Sequence, residues 1–322
     1  MKLVTFRVVV RLVSVSLVSA GLAWSPASVH AQDRSLSENP ELAAYFEDEV
    51  SQLEKQNDLN QFNSLDEWQE AKPRLREQLF DMLGLSPRPE KTDLQAAITG
   101  TTEEEEFVVE RVHFQSQSHV PLFVDAVLPE NQTLDSLKSA AIHVAADPES
   151  VFREVLKDRT KDSDAVFVMS PRGLGPHQWI GAEVKQNQIQ RRFQLIGTTA
   201  DAMRVWDIRR AIQSVQTACP NLSAPPTAAG DQMLEPHVLL ASLFEPSAAP
   251  QSLHHTSADP NQWPSILNLT RTISPKELIS LVIWRSGVKG KSSSAADALL
   301  DLGQKLSSDS RWTGASVLLE DD

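Results

Sequence analysis

The chain has 322 residues, 43 acidic against 30 basic side chains, a formal charge of −13 and one cysteine. An excess of negative charge opposes binding to phosphate backbones and anionic lipid, so nucleic acid is not an expected partner. A single thiol excludes an internal disulfide, and Cys219, between Ala218 and Pro220, has no basic or histidine neighbour in sequence to activate it.

Residues 1–31 carry the layout of a secretory signal. Lys2, Arg7 and Arg11 precede an apolar run from Leu12 to Trp24, and Val29-His30-Ala31 offers a small-residue cleavage site. The run is short of the roughly 20 residues that cross a bilayer, and Ser14, Ser16 and Ser19 interrupt it. Cleavage is expected, giving an exported, periplasmic or extracellular protein without stable membrane insertion; a retained N-terminal anchor is the other reading. Loss of three cations and no acids takes the charge from −13 to about −16.

A module of two helices and a β-hairpin is expected over 32–129. Leu42, Phe46, Val50 and Leu53 recur at helical spacing from Pro40 to Gln56. A second helix opens on the capping box Ser64-Leu65-Asp66-Glu67, turns Trp68, Leu75, Leu79 and Met82 to one face, and stops at Gly84. FVVERVHF (107–114) and VPLFVDAVL (120–128) form an antiparallel pair across a polar turn. The run Glu103–Glu106 is read as a solvated loop.

From residue 130 to 322 strands and helices alternate. Ala140–Ala145 and Ala165–Met169 are short apolar runs of the kind buried on both faces of a parallel sheet, with a helix over Pro148–Leu156 between them. Helices follow near Gln186–Leu195 and over 200–215, where Val205, Ile208, Ile212 and Val215 face inward. HVLLASLFEP (237–246) leads to a strand at SLHH (252–255), then to helices near Pro275–Arg285 and Ala295–Leu306 and a strand at Ser316–Glu320. This order predicts an α/β layered domain.

The segments LDEWQEAKPRLREQLFDMLGL, SPRGLGPHQWIG, KQNQIQRRFQLIG and DAMRVWDIRRAIQ resemble secreted bacterial α/β-hydrolases of the acetyl-xylan-esterase and dienelactone-hydrolase-like group. The resemblance implies an α/β-hydrolase-like, mostly parallel sheet with helices on both faces. It also implies a chain in which the helix-and-hairpin module runs directly into a hydrolase module without its serine. Acyl transfer on this fold needs a serine on a tight strand-to-helix turn, a histidine base and backbone amides for the oxyanion. No G-x-S-x-G occurs in the chain. At the corresponding bend, Gly230-Asp231-Gln232-Met233-Leu234, the nucleophile's place is taken by Gln232, and Asp231 stands one residue off register. Where relatives carry the late histidine this chain has TSADPNQWP, around Asp259; His254 and His255 come earlier. AADPES, after the first parallel strand, lacks a His-Gly pair. The resemblance therefore implies a degenerate catalytic centre with a binding or scaffold role, its ligand a carbohydrate or small acyl compound. An active ester hydrolase with relocated residues, drawing on Ser170 or Ser257 with His255, is the alternative.

Other patterns point to structure. Gly173 and Gly175 lack the third glycine or the lysine of a phosphate loop. Arg172 either faces a carboxylate ligand or pairs with Asp207, and Asp207, Arg209 and Arg210 read as an ion-pair brace. His113, His119, His143, His177 and His237 show no metal-ligand spacing, so neither metal nor cofactor is expected. Trp179 and Trp263 lie in loops, free to stack on a sugar or to fill the core.

Overall fold

The structure is a computed structural model. It describes residues 39–56, 64–103, 107–157, 164–245, 249–250 and 257–286. The chain divides into two units at Glu49/Val50. Helix α1 (Pro40–Gln56) spans that division, has no buried residue, and brings the Tyr45 and Phe46 rings within 5.5 Å of each other. The expected signal at 1–31, the strand at 252–255 with His254 and His255, and the elements after 286 lie outside the described residues.

Beyond α1, a seven-stranded sheet runs in the order β1-β2-β3-β5-β4-β6-β7. Strands β1 (Ala97–Glu103), β2 (Phe107–Gln117) and β3 (Val120–Pro129) are antiparallel, and β3 pairs antiparallel with β5 (Ala165–Met169). Strands β5, β4 (Ala140–Val144), β6 (Thr227–Gly230) and β7 (Ala249–Pro250) are parallel. The hairpin at 107–129 thus continues the same sheet instead of standing beside it.

Side-chain alternation divides the two faces of the sheet. Ala141, Ala145, Val166 and Val168 meet Val151 of helix α3 (Pro148–Lys157) on one face. Ile142, Val144, Phe167 and Met169 point the other way, into the main core. That core is built by α2 (Leu65–Met82), α5 (Ala200–Ala218) and α6 (Glu235–Phe244), with α7 (Leu269–Thr272) and α8 (Pro275–Ser286) contributing Leu269 and Leu278. Between α3 and α5, helix α4 (Glu183–Leu195) remains mostly exposed.

Local signals explain the helices. Ser64 caps α2 by accepting from the Glu67 amide, and Trp68, Leu75, Leu79 and Met82 are all buried on its inner face. In α5, Thr199 accepts from the Ala202 amide, and Val205, Ile208, Ile212 and Val215 are fully enclosed. Two strands carry no such pattern. All seven residues of β1 are exposed, with a register shift between Ile98 and Gly100, and β6 is four small residues long. Glu103 ends β1, so the acidic run begins on a strand; residues 104–106 lie outside the described set.

Candidate functional site

The carboxyl ends of β4, β5 and β6 meet at one rim of the sheet, where open α/β folds bind ligands. Strand β6 delivers Gly230 beside Val144 of β4, and the chain turns at once into α6. A Cβ on Gly230 would come within 2.8 Å of the Glu235 amide nitrogen, so the bend needs a residue without a side chain. In α/β-hydrolases the nucleophilic serine is carried on a tight strand-to-helix turn of this kind. Gln232 stands on it, exposed, followed by exposed Met233 and buried Leu234.

Asp231 has a role that spacing did not reveal. Its backbone amide donates to the Val144 carbonyl at 3.0 Å. Its carboxylate accepts from the Ala146 amide at 2.7 Å and from the Leu234 amide at 3.1 Å. The first of these amides follows the first parallel strand; the second belongs to the turn into α6. An acyl-transfer site on this fold holds an oxyanion with one amide after such a strand and with the amide of the residue after the nucleophile, which on this turn is Met233 and not Leu234. The Asp231 carboxylate thus takes the Ala146 amide, while the Leu234 amide is shared with the Asp231 backbone carbonyl at 2.9 Å as a local start to α6.

Ser170, one residue past β5, is 2% exposed, and its hydroxyl donates to the Ala145 carbonyl at 2.5 Å. Ser257 accepts from the Asp259 amide at 3.1 Å, in a loop where Trp263 Nε1 donates to the Ser257 carbonyl at 2.6 Å. His255 lies outside the described residues.

A different histidine is placed near the rim. His237, in the first turn of α6 and 2% exposed, puts Nε2 3.0 Å from Asp201 Oδ1 at the start of α5. Its Nδ1 is buried with no hydrogen-bond partner among the described residues. Asp201 also accepts from Arg204 at 2.6 Å and from the Ser265 amide at 3.1 Å. Burial pushes the Asp201 carboxyl up, but the His237 hydrogen bond, the His237 charge and Arg204 outweigh it and bring it down to about 2. The pair is a carboxylate–imidazole unit, and among the described residues no hydroxyl is bonded to Nδ1. Its partners are 36 residues apart in sequence, and only the docking of α6 on α5 unites them.

The remaining polar groups hold the rim together. Arg172 grips Asp207 through Nε at 2.8 Å and through a terminal nitrogen at 2.6 Å, while the Arg172 backbone amide donates to the same carboxylate at 3.0 Å. Ser116 donates to Asp207, and Trp206 Nε1 donates to the Ser116 carbonyl at 2.9 Å. Arg209 pairs with Glu245 at 2.8 Å beneath Phe80, Trp206 and Phe244, and Arg210 reaches the Thr92 carbonyl and Gln213. All three arginines brace the fold. Gly173, at φ +76°, lies under Trp179, whose ring a Cβ would approach to 2.9 Å, so this glycine makes room for an indole and not for a phosphate. Trp179 stacks on Phe193 at 5.8 Å, and Trp263 is buried. His177 packs against Phe123 at 4.7 Å, and burial pushes its imidazole down. Among the described residues, no group of three or more His, Cys, Asp or Glu side chains could hold a metal, and no helix is long and apolar enough to cross a membrane.

This architecture, a mixed sheet with helices on both faces and a tight turn from a parallel strand into a helix, is that of an α/β-hydrolase-like fold. One solved structure agrees at that level. A candidate acetyl xylan esterase of Bacteroides fragilis NCTC 9343 superposes with a TM-score of 0.51 at 8% identity, over 69% of this chain and 67% of that one. Acetyl xylan esterases of Paenibacillus sp. R4 and Thermoanaerobacterium sp. JW/SL YS485 each give 0.41, at 14% and 9% identity. The first covers 60% of this chain and 63% of the other, the second 80% and 76%. No family model and no curated protein sequence matches the chain.

Proposed function

We propose that this chain is an exported α/β-hydrolase-fold protein that binds a ligand or partner at its rim without cleaving an ester there. The observation that carries the reading is the composition of one turn. Gln232 occupies the nucleophile's place and offers an amide that cannot be deprotonated to attack a carbonyl, while Asp231 spends its carboxylate on the two neighbouring amides. A ligand held here is a carbohydrate or a small acyl compound, on the likeness to carbohydrate ester hydrolases. Export rests on the charged and apolar pattern of residues 1–31.

The alternative is an active carbohydrate-acetyl ester hydrolase with relocated residues, which the fold likeness favours because one scaffold supports many site layouts. The Ser170 hydroxyl speaks against its use as that nucleophile, since it is enclosed and already donates to Ala145. Ester turnover separates the readings. The purified chain is expected to release 4-nitrophenol from 4-nitrophenyl acetate, and acetate from acetylated xylo-oligosaccharides, no faster than a Gln232→Ala, Asp231→Ala double variant. Turnover above that control, abolished by one serine substitution, would establish the hydrolase instead.

A further inference from the structure

The core face of the sheet is left open at one corner, where α5 ends. Helix α5 packs along β2 and stops at Ala218. Ile98 of the edge strand β1 pairs directly with Val112 of β2, so the two side chains share a face. Val112 is buried under α5, but Ile98 is 51% exposed. A cavity of about 480 Å³ opens there, walled by Ile98, Val112 and Leu134 of the 3-10 turn Leu134–Ser136. That is a volume of the small-molecule class. Two carboxylates line it, Glu110 of β2 and Asp135 of the turn, and no lysine, arginine or histidine does. Glu110 Oε2 is buried with no hydrogen-bond partner among the described residues, and burial pushes this carboxyl up. Arg111, the next residue along β2, turns to the opposite face and is committed to Asp125 at 2.7 Å. Glu110 and Asp135 both push up the Cys219 thiol as well, so their fields meet at the end of α5.

We infer that this cavity is a binding site for a small organic cation, an apolar body carrying a protonated amine, with Glu110 as its anionic anchor. A carboxylate enclosed without a partner costs free energy that a charged donor returns, and the bond so formed is of the stronger, charge-assisted kind. Asp135, exposed on the turn, adds attraction for a cation on its way in. The rest of the wall is carbon and suits an aliphatic body. A bare metal ion fits less well: it takes several oxygen ligands, and among the described residues no group of three or more acids, histidines or cysteines is gathered anywhere. Helix α5 starts at the rim and ends here, roughly 28 Å further along its axis. The site therefore stands apart from the Gly230 turn and does not rest on the reading given for that turn.

The test uses the full chain and two probes of one shape: cyclohexylmethylamine, cationic at neutral pH, and cyclohexylmethanol. Each is titrated by ligand-observed NMR against wild type and Glu110→Gln, both checked for a cooperative melt. Wild type is expected to bind the amine saturably with a Kd of about 1 mM or tighter, and the alcohol at least about tenfold more weakly. Glu110→Gln keeps the shape and removes the charge, so the amine should fall to the level of the alcohol. No saturable binding of the amine, equal affinity for the two probes, or an amine affinity unchanged in Glu110→Gln would overturn the inference. If Glu110→Gln does not fold, Thr217→Lys decides, since it sets an ammonium at the cavity wall from the exposed last turn of α5. An amine affinity weakened about threefold or more then supports the site, and an unchanged one refutes it.

Discussion

Asp207 accepts from the Arg172 side chain at 2.8 and 2.6 Å and from its backbone amide at 3.0 Å, all in a setting where the aspartate is fully enclosed. The pair ties the loop after β5 to the middle of α5, and Ser116 brings the end of β2 into the same knot. Deleting one member leaves the other charged and buried. Asp207→Ala is therefore expected to cost about 3–5 kcal/mol in urea unfolding. A loss under about 1 kcal/mol would mean the pair is not the brace described.

The Asp201 carboxyl gives acid stability a definite sign. Its folded value is about 2, against about 3.9 for an unfolded aspartate. Between these values the unfolded chain binds more protons, so stability rises with pH. The contribution is complete above about pH 4 and is lost as pH falls from about 4 toward 2, on the order of 2 kcal/mol. Asp201→Asn should flatten that window of the stability profile. A variant with the wild-type slope there would contradict the His237–Asp201–Arg204 cluster.

Cys219 is predicted to be silent in the native state. Burial pushes its thiol up, the Asp135 and Glu110 carboxylates push further, and it reaches about 12. Alkylation by iodoacetamide at pH 8 should be slower than for an ordinary thiol by about a thousandfold, and prompt in denaturant. Mass spectrometry of the native protein after a short pulse reads this directly, and rapid modification would show the thiol to be open.

Ser170 should behave as a structural hydroxyl. Removing its bond to Ala145 by Ser170→Ala is expected to destabilise the chain by about 1 kcal/mol and to leave ester release at the background rate. A drop in turnover with unchanged stability would assign Ser170 a chemical role.

What the sequence disclosed depended on whether the determinant was local. The Ser64 cap, the inward stripe of α5 and the apolar runs of β4 and β5 are set by neighbours three or four residues away, or by burial on both faces, and each was readable. Strand β1 was not, because AITGTTE is exposed throughout and has no apolar alternation; it is a strand only through its pairing with β2. Strand β6, TAAG, is too short and small to show a period. The Arg172–Asp207 pair was accessible as one of two options because both residues sit in recognisable segments. The Asp201–His237 contact and the Asp231–Ala146 bond were not, since each depends on how α6 and β4 meet in space.

Intact-mass spectrometry after exposure to a fluorophosphonate and, separately, to an activated acetyl ester tests the central assignment most directly. The native chain should keep its unmodified mass under conditions that fully label a control serine hydrolase. A stoichiometric adduct, mapped to any one serine, would show that a nucleophile is generated in this fold after all.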